Sequence, residues 1–112
     1  MLSGDSHNCW AYDLAQDGKP AGVEFAGHSV SSPGYENSTK VDPKVVAEAI
    51  IKASPELKWC DTSHRGYMMV SLTPAAATSQ WVFMDTVQAR SHAVKGSSTL
   101  IAKRGRRMLD PA

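Results

Sequence analysis

The chain has 112 residues, 42% of them hydrophobic, and a formal net charge of +1 at neutral pH, which suits one small domain with a modest core. Nearly cancelled charge argues against a nucleic-acid or membrane-surface binder, for which a strong basic face is the expected footprint. No stretch reaches the roughly 18 consecutive apolar residues of a membrane-crossing helix. Cys9 and Cys60 are too few and too far apart for a zinc pattern, and they leave a disulfide and two free thiols both open.

The first motif follows Met1 directly, without the basic region and apolar stretch of a signal peptide. Leu2-Ser3-Gly4-Asp5-Ser6-His7 puts a carboxylate and an imidazole two positions apart after a small-residue approach. Both groups are ligands for hard or borderline metal ions. On an extended backbone, side chains at i and i+2 share a face, so Asp5 and His7 are expected to converge on one ion. Gly-Asp-Ser is equally an ordinary turn sequence. Two ligands do not hold a catalytic metal, so the motif marks half a site. Asn8, next in the chain, is placed to hydrogen-bond the loop and fix the imidazole.

Asn8 to Leu14 alternates, with Trp10, Tyr12 and Leu14 on one face, and predicts a strand. Gln16 to Pro20 reads as a turn, and Ala21 to Ala26 as a second strand with Val23 and Phe25 inward. The two form a hairpin that buttresses the Asp5–His7 loop. His28 to Tyr35 is a hydroxyl-rich loop, with His28 a loop residue rather than a third ligand, and Asn37 to Val41 is polar and exposed. The one main helix covers about residues 43–53. Asp42 is its N-cap and Pro43 its first residue, Val45, Ala49, Ile50 and Ala53 form its apolar stripe, and Ser54-Pro55 ends it.

Leu57 to Tyr67 is dense in polar groups beside Trp59. Within it Arg65 is a candidate for contacting a substrate or for supporting groups that do, since guanidinium holds oxyanions bidentately; the competing role is a surface or packing arginine beside Trp59. Gly66 to Leu72 and Ser79 to Met84 predict strands, with Tyr67 in the core and Trp81 and Phe83 on one face. Thr73 to Ala77 connects them, Thr99 to Ala102 adds a short strand, and His92 lies in an exposed linker. Lys103, Arg104, Arg106 and Arg107 have no interleaved aromatics and read as a solvated tail rather than a phosphate patch. The fold class is α+β and β-rich, with mostly antiparallel strands and one main helix.

Several blocks in register carry a resemblance: Leu2–His7 with Trp10, Val23-Glu24-Phe25, and Ser29-Val30-Ser31-Ser32-Pro33-Gly34. Leu57-Lys58-Trp59 with Asp61-Thr62 and Arg65-Gly66-Tyr67, then Leu72-Thr73-Pro74, then Trp81 with Asp85-Thr86-Val87, continue it. Together they resemble the PhoD-like alkaline phosphatases and phosphodiesterases of the calcineurin-like metallophosphoesterase superfamily. Ser31 stands where threonine is common, His28 where threonine is often found, and Cys60 where alanine is frequent. The resemblance implies that residues 1–109 are the C-terminal part of that superfamily's α/β sandwich, an incomplete domain, with 110–112 as a tail.

It further implies Asp5 and His7 as ligands of a multinuclear metal centre, with Fe3+ and Ca2+ as the expected ions and a phosphate ester as substrate. In such enzymes a metal-bound hydroxide attacks phosphorus in line. The remaining ligands belong to motifs expected ahead of residue 1, in the N-terminal half of the same domain, so the chain alone is expected to be inactive. It is also expected to aggregate through cut sheet edges. Extracytoplasmic localisation, through twin-arginine export of the full-length protein, is implied by the resemblance alone. The alternatives are a non-catalytic β-rich interaction module or remnant, and a different metal hydrolase carrying the same loop.

Overall fold

Asp17 and Gly18, at φ 51° and 73°, form the two-residue Asp-Gly turn that suits the twist of an antiparallel pair. They join β2 (Cys9–Gln16) to β3 (Lys19–Ala26), with Gln16 opposite Lys19 and Ala11 opposite Phe25. This computed structural model describes residues 1–111. On the outer side of β3 lies β1 (Leu2–Ser3), paired parallel, and on the outer side of β2 lies β4 (Leu57–Asp61), paired antiparallel. The first sheet therefore runs β1-β3-β2-β4.

A second sheet is a simple antiparallel meander: β5 (Gly66–Leu72), β6 (Ala76–Met84), β7 (Val94–Lys103) and β8 (Leu109–Pro111). Two helices fall between β3 and β4: the single turn α1 (Tyr35–Ser38) and α2 (Pro43–Ala53). The expected α+β, β-rich class holds, and α2 has the expected bounds, with the Asp42 carboxylate accepting from the Lys44 amide at 2.8 Å.

Trp81 joins the sheets. It is fully buried, meets Phe25 edge-on at 5.9 Å and Trp59 at 4.6 Å, and donates its indole N–H to the Ala26 carbonyl at 2.8 Å. Cys9, Ala11, Phe25 and Phe83 complete the core. Burying this indole with its donor satisfied contributes apolar area without an orphaned polar group.

Several expectations change. In β2 Trp10 and Tyr12 share one face, as expected, and are half-buried, but the face turned to the core is the other one, with Cys9 and Ala11. Trp81 and Trp59 already occupy the space between the sheets, leaving room only for small side chains opposite them. Tyr67 is 45% exposed rather than core, because alternation along β5 turns Met68 onto the core and Tyr67 and Met69 outward. β6 begins at Ala76, which shortens the Thr73–Ala77 connection, and β7 is far longer than the Thr99–Ala102 segment. Asp110 and Pro111, assigned to a tail by the sequence, pair with Ile101 and Leu100 as the end of β8; Ala112 lies outside the described residues. The solvated basic tail is instead the turn that feeds this strand.

The cysteines do not meet. Cys9 pairs across the sheet with Asp61, and Cys60 with Trp10, so the two thiols project from opposite faces. Cys9 points into the core, and Cys60 donates to the Ala47 carbonyl of α2 at 3.7 Å. Both are free and buried.

Candidate functional site

Gly4 to Asn8 leaves β1 and enters β2 through a loop far from extended. The Ser6 amide donates to the Gly4 carbonyl at 2.9 Å around Asp5, whose φ is 71°. This γ-turn is a strained shape for a non-glycine residue. His7 is left-handed too, at φ 63°. The expectation that alternation on an extended strand aligns Asp5 with His7 is therefore wrong in its premise: two reversals of the main chain, not a pleat, set their directions. Both residues are exposed.

The His7 ring is oriented. Its Nδ1 lies 2.8 Å from the Pro33 carbonyl. A carbonyl only accepts, so Nδ1 carries the hydrogen, and in the neutral ring Nε2 presents its lone pair outward. Asn8 is 2% exposed; its amide nitrogen donates to the Ser6 carbonyl at 2.8 Å and its Oδ1 accepts from the Tyr35 amide at 3.3 Å. It stitches the loop to the 32–36 turn through the Ser6 carbonyl and makes no hydrogen bond to the His7 ring. Trp10 adds a hydrogen bond from its indole to Ser6 Oγ and an edge-on contact with Tyr35 at 6.5 Å.

Arg65 lies beneath this loop, 6% exposed. Its guanidinium donates from Nη1 to the carbonyls of His7 and, at 3.2 Å, Ser32, and from Nη2 to Glu36 Oε2 at 3.0 Å. It braces main chain and does not face outward for a substrate. A Cβ at Gly34 would run into Asn8 Oδ1 and both terminal nitrogens of Arg65, so any larger residue there displaces these two side chains.

A second group of polar residues adjoins the first. Asp61 Oδ2 lies 2.8 Å from His64 Nδ1, while Oδ1 accepts from the amides of Ser63 at 3.0 Å and His64 at 2.8 Å. Burial alone would raise the Asp61 carboxyl, but the hydrogen bonds from the His64 ring and the two amides hold it below the usual carboxylate range. Ser63 Oγ, 3.1 Å from the same Nδ1, shares a nitrogen with the carboxylate. A nucleophile relay needs serine and carboxylate on opposite ring nitrogens, so this trio is not one. His64 lines an open cleft of about 390 Å³ with Lys44, Asp85 and Lys95.

His28 is packed edge-on against Phe83 at 5.8 Å, and neither ring nitrogen has a hydrogen-bond partner. It is a packing residue of the loop rather than a ligand. His92 is exposed, as expected. The sequence missed Glu36 and the Asp61–His64 pair. An acid closing the Pro33-Gly34 turn and an Asp-x-x-His spacing were the available signals. Among the described residues no three His, Cys, Asp or Glu side chains gather as a metal-holding group.

Comparison with known proteins follows the same lines. A solved structure titled "Structure of PhoD" superposes with a TM-score of 0.73 at 20% identity, covering 99% of this chain and 21% of that one; the likeness establishes the fold. The chain thus spans about a fifth of that structure's length. No curated protein matches. The PhoD-like phosphatase family model matches residues 1–81, which includes the Asp5–His7 loop, both helices, Arg65 and Trp81, and the chain therefore belongs to the PhoD-like phosphatase family.

Proposed function

We propose that this chain supplies the metal-binding loop of a phosphoester hydrolase of the alkaline phosphatase and phosphodiesterase type, with Asp5 and His7 as two of the ligands. The observation that carries the reading is the His7 ring, whose Nδ1 is committed to the Pro33 carbonyl at 2.8 Å. That leaves Nε2 exposed and, in the neutral ring, bearing the lone pair that metal sites use, with the other nitrogen held by a carbonyl. The donor set fits a metal on the same ground: Asp5 offers carboxylate oxygen, suited to calcium, and His7 offers imidazole nitrogen, suited to iron. A bound multinuclear centre of Fe3+ and Ca2+ would supply the Lewis acidity that phosphoester hydrolysis needs.

The chain's own residues do three things. Asp5 and His7 present donors from a rigid loop, Asn8 fixes that loop against Tyr35, and Arg65 holds the His7 carbonyl from below. By the same reading, further ligands come from the remainder of the enzyme. Extracytoplasmic localisation after twin-arginine export belongs to the same proposal.

The test is a titration of the isotopically labelled chain with Co2+, followed by NMR. Paramagnetic broadening is expected first at Asp5 and His7, and His7→Ala or Asp5→Asn is expected to abolish it. Broadening centred elsewhere, or unchanged in the variants, would overturn the ligand assignment. Phosphatase turnover by the chain alone is expected to be absent, and finding it would overturn the half-site reading.

A further inference from the structure

The contacts beneath the His7 loop close into a ring. The His7 carbonyl accepts from Arg65 Nη1, Arg65 Nη2 pairs with Glu36 Oε2 at 3.0 Å, and both Glu36 oxygens accept from the Gly34 amide at 3.1 Å. Gly34 follows Pro33, whose carbonyl returns to His7 Nδ1 at 2.8 Å. One ion pair thus grips the His7 residue twice: directly at its main chain, and through the turn that carries the acceptor for its ring.

We propose that Glu36 and Arg65 are positioning residues for His7, and that together they select its Nδ1–H tautomer and so keep Nε2 free for a metal cation. The inference rests on the reading of His7 as a ligand for its purpose, and its test is read without metal. Geometry supports it at each link. Arg65 spans the gap with a planar fork, one nitrogen reaching two carbonyls and the other the carboxylate, which the single ammonium of lysine does not reproduce. The Arg65 side chain is 5% exposed and that of Glu36 23%, so the pair is shielded and loss of the carboxylate leaves a buried cation unmatched. The left-handed conformation of His7 is sparsely populated in an unconstrained chain. Something outside the loop must hold it, and the residues doing so lie 26 and 58 positions away. The turn that carries the Pro33 carbonyl is held from the same side by the Arg65 bond to the Ser32 carbonyl and by the Tyr35 amide on Asn8 Oδ1, while Ser29 Oγ takes the Ser31 and Ser32 amides.

Long-range proton–nitrogen NMR of the nitrogen-15-labelled, metal-free chain reads the tautomer directly, above the ordinary histidine titration range. The parent is expected to show His7 with a protonated Nδ1 and a bare Nε2. Glu36→Gln and Arg65→Lys are expected to shift the ring toward Nε2–H and to weaken Co2+ binding about tenfold. Leu100→Ala, which loosens core packing remote from the loop, is expected to leave the tautomer unchanged. A parent ring protonated at Nε2 overturns the proposal without any variant, as does a parental tautomer in Glu36→Gln. If Arg65→Lys does not fold, the Glu36 variant and the parent spectrum decide. The expected tautomer without Co2+ broadening would sink the ligand reading and leave the clasp standing.

Discussion

Gly66 is the residue at which a single methyl group does most damage. It opens β5 at φ 155°, and its amide donates to the Ser29 carbonyl at 3.1 Å. A Cβ there would run into the Val82 carbonyl on β6 and sit 3.0 Å from His28 Nε2. Gly66→Ala is expected to lower unfolding free energy by about 3 kcal/mol, measured by urea denaturation, through combined clash and backbone strain. Asp5 and His7 were legible in the sequence as residue types suited to a metal. Their geometry was not, because it is imposed by Pro33 and Arg65, whose contacts no local pattern encodes. The same distance hid Glu36: its role exists only once Arg65, 29 positions later, is folded against it.

Elements were legible where their signals were local. Helix α2 announced both ends, since Asp42, Pro43 and Ser54-Pro55 each act within one turn of where they stand. Replacing Asp42 with alanine is expected to destabilise the protein by about 1 kcal/mol, and asparagine far less, as a thermal melt followed by circular dichroism will show. Strand β7 carried no such announcement. Val94-Lys95-Gly96-Ser97-Ser98-Thr99 has little apolar alternation, and it is a strand because β6 offers it an antiparallel ladder from Met84–Val94 to Ala76–Lys103, interrupted by a bulge at Lys95. β2 is subtler: its period was legible in the sequence, but which of its faces turns inward depends on two tryptophans from other strands claiming the interior.

For the molecule as a whole, stability is expected to fall on acidification. Burial and the Arg65 guanidinium push His28 below the usual histidine value, against the opposing pull of the Val82 carbonyl and Asp61, with His64 and Cys9 also close by. A depressed pKa means the unfolded chain binds the proton more readily. The contribution of His28 is therefore complete above its ordinary value of 6.5 and falls away as pH drops below it. Asp61 follows the same sign from its ordinary value of 3.8 downward. Urea midpoints are expected to decline in that order on acidification, and His28→Phe is expected to flatten the first decline, with a steep unchanged slope counting against this account. Oxidation is a different matter. Cys9 and Cys60 stand on opposite faces of one sheet, and burial pushes the Cys60 thiol up to about 11 and that of Cys9 higher still. Neither is a ready nucleophile, and no rotation of either side chain brings them within bonding reach through the sheet. The folded chain therefore has no internal disulfide to gain in an oxidising compartment and none to lose in a reducing one.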